Sequence, residues 1–258
     1  MGVLNVTPDS FSDGGRHATV AAARAAAEAM VEAGAAIIDI GGESTRPGAP
    51  AVPLDEERRR VLPVIEALAD LPCLLSVDTS SPELMREAMD RGVVLINDVR
   101  ALSREGAIEA VAGRGAAVCL MHMQGTPATM QLDPRYVDVV SEVKAFLLER
   151  VHACVLGGIA RSRIAIDPGF GFGKTLAHSL ALLRGLPEFC ATGLPVLTGL
   201  SRKSMIGALT GRPIRERLAG SIALAVLAAE RGARIIRAHD VAQTVDALRI
   251  VAALRAED

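Results

Sequence analysis

Short apolar runs alternate with longer amphipathic stretches along the whole chain. The runs cover residues 3–5, 37–40, 74–78, 94–98, 118–121, 164–167, 196–200 and 235–237. They are brief, continuous and rich in Val, Ile and Leu, which predicts strands buried on both faces of a parallel sheet. Between them, Ala-rich and Leu-rich stretches predict helices over 19–33, 54–69, 82–91, 106–114, 136–156, 176–186, 215–230 and 241–254. Ser81-Pro82 supplies an N-cap followed by proline at the first helical position, and Gly34, Gly92, Gly115 and Gly232 stand where helices should end. Eight strand–helix units in this length predict a single-domain (β/α)8 TIM barrel over residues 1–258, an architecture that usually takes about 250 residues. A doubly wound open sheet is the rival arrangement.

In a barrel of this kind the active site lies at the C-terminal ends of the strands, and the unusual residues of this chain collect there. The first strand ends at Asn5 and the second opens into the glycine-rich stretch 41–48. The third ends at Asp78, the fourth at Asn97-Asp98, the fifth runs into His122-Met123-Gln124, and the sixth ends at Asp167. The seventh is followed by Ser201-Arg202-Lys203-Ser204 and the eighth by Arg237-Ala238-His239-Asp240. Helix capping explains Asp, Ser and Thr after a strand. It does not explain Lys203, Arg237 and His239, so the ring reads as a site. Asp78, Asn97 and Asp167 could pair with the edge of an aminopyrimidinone, since a carboxylate accepts two adjacent N–H groups and an amide both donates and accepts. Asn5, Arg237 and His239 come from strands that become neighbours on closure and suit an anion. Lys203 stands at a helix start, where backbone N–H groups also attract anions.

Composition narrows the partners. Formal charge is −2, from 28 Lys+Arg against 30 Asp+Glu, so the basic surplus that nucleic-acid or anionic-membrane binding relies on is missing. No apolar run reaches the ~18 residues a membrane span needs, and no secretory leader is visible. Cys73, Cys119, Cys154 and Cys190 form no C-x-x-C pair, which fits reduced thiols in the cytoplasm. His and Cys show no metal-ligand spacing, so an expected metal is hard and oxygen-ligated: Mg2+ brought by a phosphate ligand. Residues 169–175 resemble a P-loop but carry Pro168 where its first glycine belongs, and they fail the dinucleotide pattern as well. Among only five Phe, Phe11, Phe170 and Phe172 lie in glycine-rich stretches. They could stack on a flat ligand or pack a loop onto the barrel, with Phe172 the first candidate for stacking. His122 is open to either a site or a core reading; His17, His152 and His178 are expected at the surface.

Residues 2–15, 41–48, 76–79, 96–99, 121–125, 167–175, 201–204 and 237–240 together resemble the dihydropteroate synthase family, in that family's order and over essentially the whole chain. The resemblance implies a transferase of folate biosynthesis and a sulfonamide target. It would join 6-hydroxymethyl-7,8-dihydropterin diphosphate to p-aminobenzoate and release diphosphate. It implies that Asp78, Asn97, Asp167 and Lys203 hold the pterin, that Met121 also binds substrate, and that Asn5, Arg237 and His239 hold the diphosphate, with Asn5 near Mg2+. Thr45, Arg46, Pro47, Phe172 and Ser204 would shape the p-aminobenzoate side. Asp78, Asp167, Lys203 and Arg237 are the expected catalytic group, and a homodimer is expected, with 222–227 a candidate pairing face. The family usually has a short segment before the first motif, folded across the barrel's bottom. Here Met1 directly precedes that motif, so the segment is expected to be absent and the bottom unplugged; Ala238 also stands where Val is commoner. Two other functions remain open at this point. A methyltetrahydrofolate-binding methyltransferase domain shares the barrel but has no use for a diphosphate patch. A pterin-binding protein without synthase activity would bind the diphosphate ester and release nothing.

Overall fold

A computed structural model describes residues 1–6, 16–44, 48, 49 and 52–256, with residues 16–19 through their backbone only. Six strands pair in parallel and in chain order: β1 (Gly2–Asn5), β2 (Ile37–Gly41), β3 (Leu74–Asp78), β4 (Leu95–Asp98), β5 (Ala117–Met121) and β6 (Ile164–Asp167). β7 (Leu197–Thr198) pairs in parallel with β8 (Ile235–Ile236). Single bridges complete the circle, Ile166 with Val196 on one side and Gly2 with Ala238 on the other. Val3 N–H donates to Ala238 O at 3.1 Å and Ala238 N–H to Met1 O at 2.9 Å. The eight strands of the described residues therefore close as an α/β barrel, and the open-sheet alternative falls.

Alternation along the strands separates two cores. Leu4, Ile38, Ile40, Val77, Ile96, Leu120 and Ile166 point outward into the large cluster shared with the helices. Residues of the opposite parity, Ile37, Leu95, Cys119, Ala165, Leu197 and Ile235, form a small apolar floor inside the barrel together with Met1. This is the period-2 pattern of a filled barrel. No disulfide contributes, as all four cysteines are free. Among the described residues no helix is long and apolar enough to cross a membrane.

The helices are α1 (Arg16–Glu32), α2 (Leu54–Leu68), α3 (Pro82–Met89), α4 (Ala107–Val111), α5 (Val139–Leu156), α6 (Leu176–Arg184), α7 (Leu186–Cys190), α8 (Ser204–Thr210), α9 (Leu218–Glu230) and α10 (Val241–Arg255). Several elements depart from the pattern-based expectation. α5 starts at Val139, three residues later than expected, because the Asp138 carboxylate caps it by accepting from Val140 N–H and Ser141 N–H. The helix expected over 176–186 stops at Gly185, and α7 restarts with Pro187, which offers no N–H to continue the ladder. α8 is a short helix outside the eight predicted stretches, and it begins where a helix start was expected, with Lys203 as its N-cap residue. A 3-10 turn, Ile214–Glu216, precedes α9 where a continuous helix was expected.

One helix position carries a pH-dependent cost. Glu57 in the first turn of α2 is 4% exposed, and its Oε1 has no hydrogen-bond partner. Burial first, and the neighbouring Glu43 carboxylate, push it up to about 7. Between about 4.5 and 7 the folded chain holds a proton the unfolded chain has released, so this group's contribution falls as pH rises and the full penalty stands above 7. Glu57→Gln should therefore stabilise the protein by roughly 2–3 kcal/mol at pH 8 and by nothing near pH 4. Urea unfolding of both proteins at the two pH values checks this.

Candidate active site

Above the apolar floor the inward positions turn polar. Asp39, at the middle of β2, is fully buried. It accepts from Ser76 Oγ at 2.6 Å, Asn97 Nδ2 at 3.1 Å and Arg237 Nε at 2.6 Å. Arg237 Nη2 donates to Asp78 Oδ2 at 3.0 Å. One guanidinium thus bridges two carboxylates across the barrel, in the forked geometry that suits Arg. Burial raises Asp78 above the usual carboxylate range; the Arg237 charge opposes that shift and the Asp39 carboxylate adds to it.

A cleft of about 460 Å³, its open mouth included, sits over this column. It is lined by Asp78, Asn97, Met121, Asp167, Phe172, Lys203, Arg237 and His239, with Val3, Val99, Phe170 and Gly199 completing the wall. Eight of the expected site residues therefore meet in one place. Asn5 stands just beside them: a methyl group on Gly41 would lie 3.6 Å from both Asn5 Oδ1 and Asp78 Cβ. Ser204 does not line the cleft; it begins α8 with its side chain exposed. Thr45, Arg46 and Pro47 lie outside the described residues, as does Phe11.

Each polar side chain is aimed by its own strand end. Asp167 closes β6 and is held by Gly169 N–H, which donates to Oδ1 at 2.8 Å. Its other oxygen makes no hydrogen bond among the described residues, and burial raises its pKa. Lys203 follows β7 with Nζ 4.0 Å from the Phe172 ring centroid, a cation–π distance. Burial brings its ammonium down to about 8, against the pull of Asp167. The residue before it, Arg202, has φ +59, a strained conformation for a side chain with a Cβ. Ser221 Oγ accepts from Arg202 N–H, Asp240 pairs with its guanidinium, and Arg217 donates to its carbonyl. After β4, Ala101 and Leu102 are likewise left-handed, at φ +52 and +53. Asp98 accepts from Leu102 N–H, and Arg150 donates to both their carbonyls, which fixes the turn that presents Val99. His239 shares a hydrogen bond between Nδ1 and Ser201 Oγ at 3.1 Å. Desolvation, then the Arg237 and Arg202 charges, lower its pKa, although the residue stays exposed at the rim of the cleft.

His122, ambiguous in the sequence, is a core residue. It packs edge-on against Phe146, with ring centroids 4.9 Å apart, and faces Lys174 rather than the cleft. His178 is half-buried instead of exposed, because it closes a capping box with Thr175 at the start of α6. His152 is exposed as expected. Among the described residues no group of three His, Cys, Asp or Glu side chains could hold a metal ion.

A barrel whose mouth gathers carboxylates, an amide, half-buried cations and a phenyl ring around one cleft suits a polar heterocycle carrying negative charge. Residues 1–239 match the family model of the pterin binding enzymes, and the chain belongs to that family. Within it, the chain is 55% identical to the dihydropteroate synthase of Escherichia coli (strain K12) over 254 residues, 98% of this chain and 90% of that one. The Yersinia pestis dihydropteroate synthase, solved as a complex with a sulfonamide drug, superposes with a TM-score of 0.94 at 52% identity, over 99% of this chain and 93% of the other. The Xanthomonas albilineans dihydropteroate synthase, solved with 7,8-dihydropteroate, gives 0.90 at 51% identity, over 100% and 94%.

Proposed function

We propose that this chain, as one pterin-binding domain over residues 1–258, catalyses the dihydropteroate synthase reaction. It would condense 6-hydroxymethyl-7,8-dihydropterin diphosphate with p-aminobenzoate, giving 7,8-dihydropteroate and diphosphate. The observation that carries this is the cleft itself: Asp167 and Asn97 offer acceptor and amide edges on one side, while Arg237 and His239 offer donors on the other.

Asn97 and the unengaged oxygen of Asp167 hold the amide and amino edge of the pterin, with Met121 and Lys203 against its faces. Arg237, tied to Asp39 and Asp78 through Nε and Nη2, keeps Nη1 for a diphosphate oxygen, and His239 adds a donor. As the C–O bond breaks, its electron pair leaves with the diphosphate. The positive charge left on the methylene spreads into the electron-rich dihydropterin, opposite the carboxylates of Asp78 and Asp167. The arylamine nitrogen then forms the C–N bond and gives its proton to solvent. Its low basicity removes the need for a strong general base. Thr45, Arg46, Pro47, Phe172 and Ser204 would bound the arylamine side.

The donor set fits Mg2+ as an ion carried by the diphosphate, since one amide (Asn5) beside the cleft suits an ion that keeps water and phosphate ligands. When bound it would neutralise charge on the departing group. A homodimer fits α9, which is apolar all round, with Ala223 and Leu227 left exposed and Ile222 half-buried. Four free thiols fit the cytoplasm.

Chromatographic detection of dihydropteroate from the two substrates tests this reading, with a sulfonamide expected to compete against p-aminobenzoate alone. Asp167→Asn offers a sharper check. It keeps one acceptor for Gly169 N–H but turns the other against the ligand's N–H groups. Pterin affinity should fall by about 10–100-fold, the worth of a hydrogen bond to a charged group. Calorimetric titration with the pterin measures it.

A further inference from the structure

The loop between β6 and α6, residues 168–175, is fastened more heavily than a surface connection needs. Three successive carbonyls each receive a side chain. Gln131 Nε2 donates to Gly171 O, Lys174 Nζ donates to Phe172 O at 2.9 Å, and Tyr136 Oη donates to Gly173 O at 2.8 Å. None of these three side chains lines the cleft, whereas Phe172 does.

Lys174 is the buried member, at 4% exposure. Besides Phe172 O it reaches His122 Nδ1 at 2.9 Å and His122 O at 3.3 Å. An ammonium has three N–H donors and no acceptor, and three acceptors surround it here. That match calls for the charged lysine and a neutral His122 with its proton on Nε2. No carboxylate bonds to the ammonium among the described residues, which is an uncommon way to bury a lysine. The loop and the end of β5 are also closely packed: a Cβ on Gly173 would stand 2.7 Å from Gln124 O.

We propose that Lys174 is a positioning residue: it fastens the β6–α6 loop to the end of β5 and thereby fixes the Phe172 ring as a wall of the arylamine side of the cleft. The proposal rests on the assignment of Phe172 to that side. Lys174 itself touches no substrate. The groups facing it are His122 at the end of β5, Asp167 on β6 and Lys203 after β7, with Tyr136 and His178 behind the loop. Burial, reinforced by Lys203 and opposed by Asp167, brings the Lys174 ammonium down to about 7. The fastening is complete below that pH and loses a donor above it.

The chain has no Trp and a single Tyr, so Phe172→Trp places one indole on the loop and reports its order without any turnover. In that background, Lys174→Met should lower the indole anisotropy and shift its emission to the red at pH 6. A step with a midpoint near 7 should be present with Lys174 and absent from Lys174→Met and Lys174→Arg. Lys203, His122 and Asp167 are common to all three proteins, so the difference isolates Lys174. In the chain with native Phe172, Lys174→Met should raise KM for p-aminobenzoate by about tenfold or more, while KM for the pterin diphosphate stays within about threefold, a loss of binding at one substrate only. Lys174→Arg, which keeps the charge, should recover part of the arylamine affinity. Equal losses for both substrates, or an unchanged arylamine KM, would overturn the proposal. Should Lys174→Met fail to fold, a missing pH step in the Phe172→Trp protein would overturn it as well. A wild-type chain that makes no dihydropteroate would sink the proposed reaction, yet leave the fluorescence comparison able to decide the role of Lys174 in ordering the loop.

Discussion

Arg237→Ala should lower turnover by about 10²–10³, the usual loss for one preorganised charge partner, and should destabilise the fold as well. The two effects share one cause. The guanidinium lies 2.6 Å from Asp39 and 3.0 Å from Asp78, and Asp39 has no exposure to solvent. Removing the arginine leaves that carboxylate buried beside another and without its countercharge. The cost is about 3 kcal/mol, the lower end for a broken buried pair, because Arg237 keeps 21% of its side chain exposed. Arg237→Lys restores charge without the fork and should recover stability better than turnover. Urea unfolding and kcat on the same preparations separate the two effects. Full turnover with unchanged diphosphate affinity in Arg237→Ala would remove this residue from the mechanism.

The second large effect concerns backbone. Gly169 has φ +70, and a Cβ built there would sit 1.9 Å from His122 O. No side chain can relieve that clash, because the atom it meets is a main-chain carbonyl at the end of β5. Gly169→Ala must push the β6–α6 loop outward, taking with it the N–H that holds Asp167 and the wall made by Phe170 and Phe172. The expected cost exceeds about 4 kcal/mol, beyond the ordinary range for a point substitution. Gly193→Ala is the control. It has a similar φ of +77 but open space around its Cβ, so it should cost only the backbone strain of about 1–3 kcal/mol. At about 2–4 °C per kcal/mol for a chain of this size, calorimetry should separate them clearly. Equal melting temperatures would show that the loop yields and does not lock the site.

The difference between what was and was not legible in the sequence has a physical basis. The ring of Asp78, Asn97, Asp167, Lys203, Arg237 and His239 could be seen because each polar residue ends or follows an apolar run, and strand ends converge in a barrel. Asp39 was missed although it carried a signal of its own: a carboxylate in the middle of Ile-Ile-Asp-Ile must be paired when buried. Its partner Arg237 lies 198 residues away, and only closure of the barrel brings them together. Lys174 sits in a stretch that resembles a P-loop and fails its pattern. Nothing local says that its ammonium turns back to His122, 52 residues earlier. The short helix α7 is not visible as a helix of its own because five residues directly after Gly185 are too few to show a helical period, and of the seven-residue α8 only the start at Lys203 shows.

Release of diphosphate tests the central claim most directly, measured with dihydropterin diphosphate, Mg2+ and p-aminobenzoate together and with each omitted in turn. The predicted result is release that depends on all three and equals the dihydropteroate formed. A folded chain that binds the pterin diphosphate and releases nothing, or that releases diphosphate without joining the arylamine, would contradict the account.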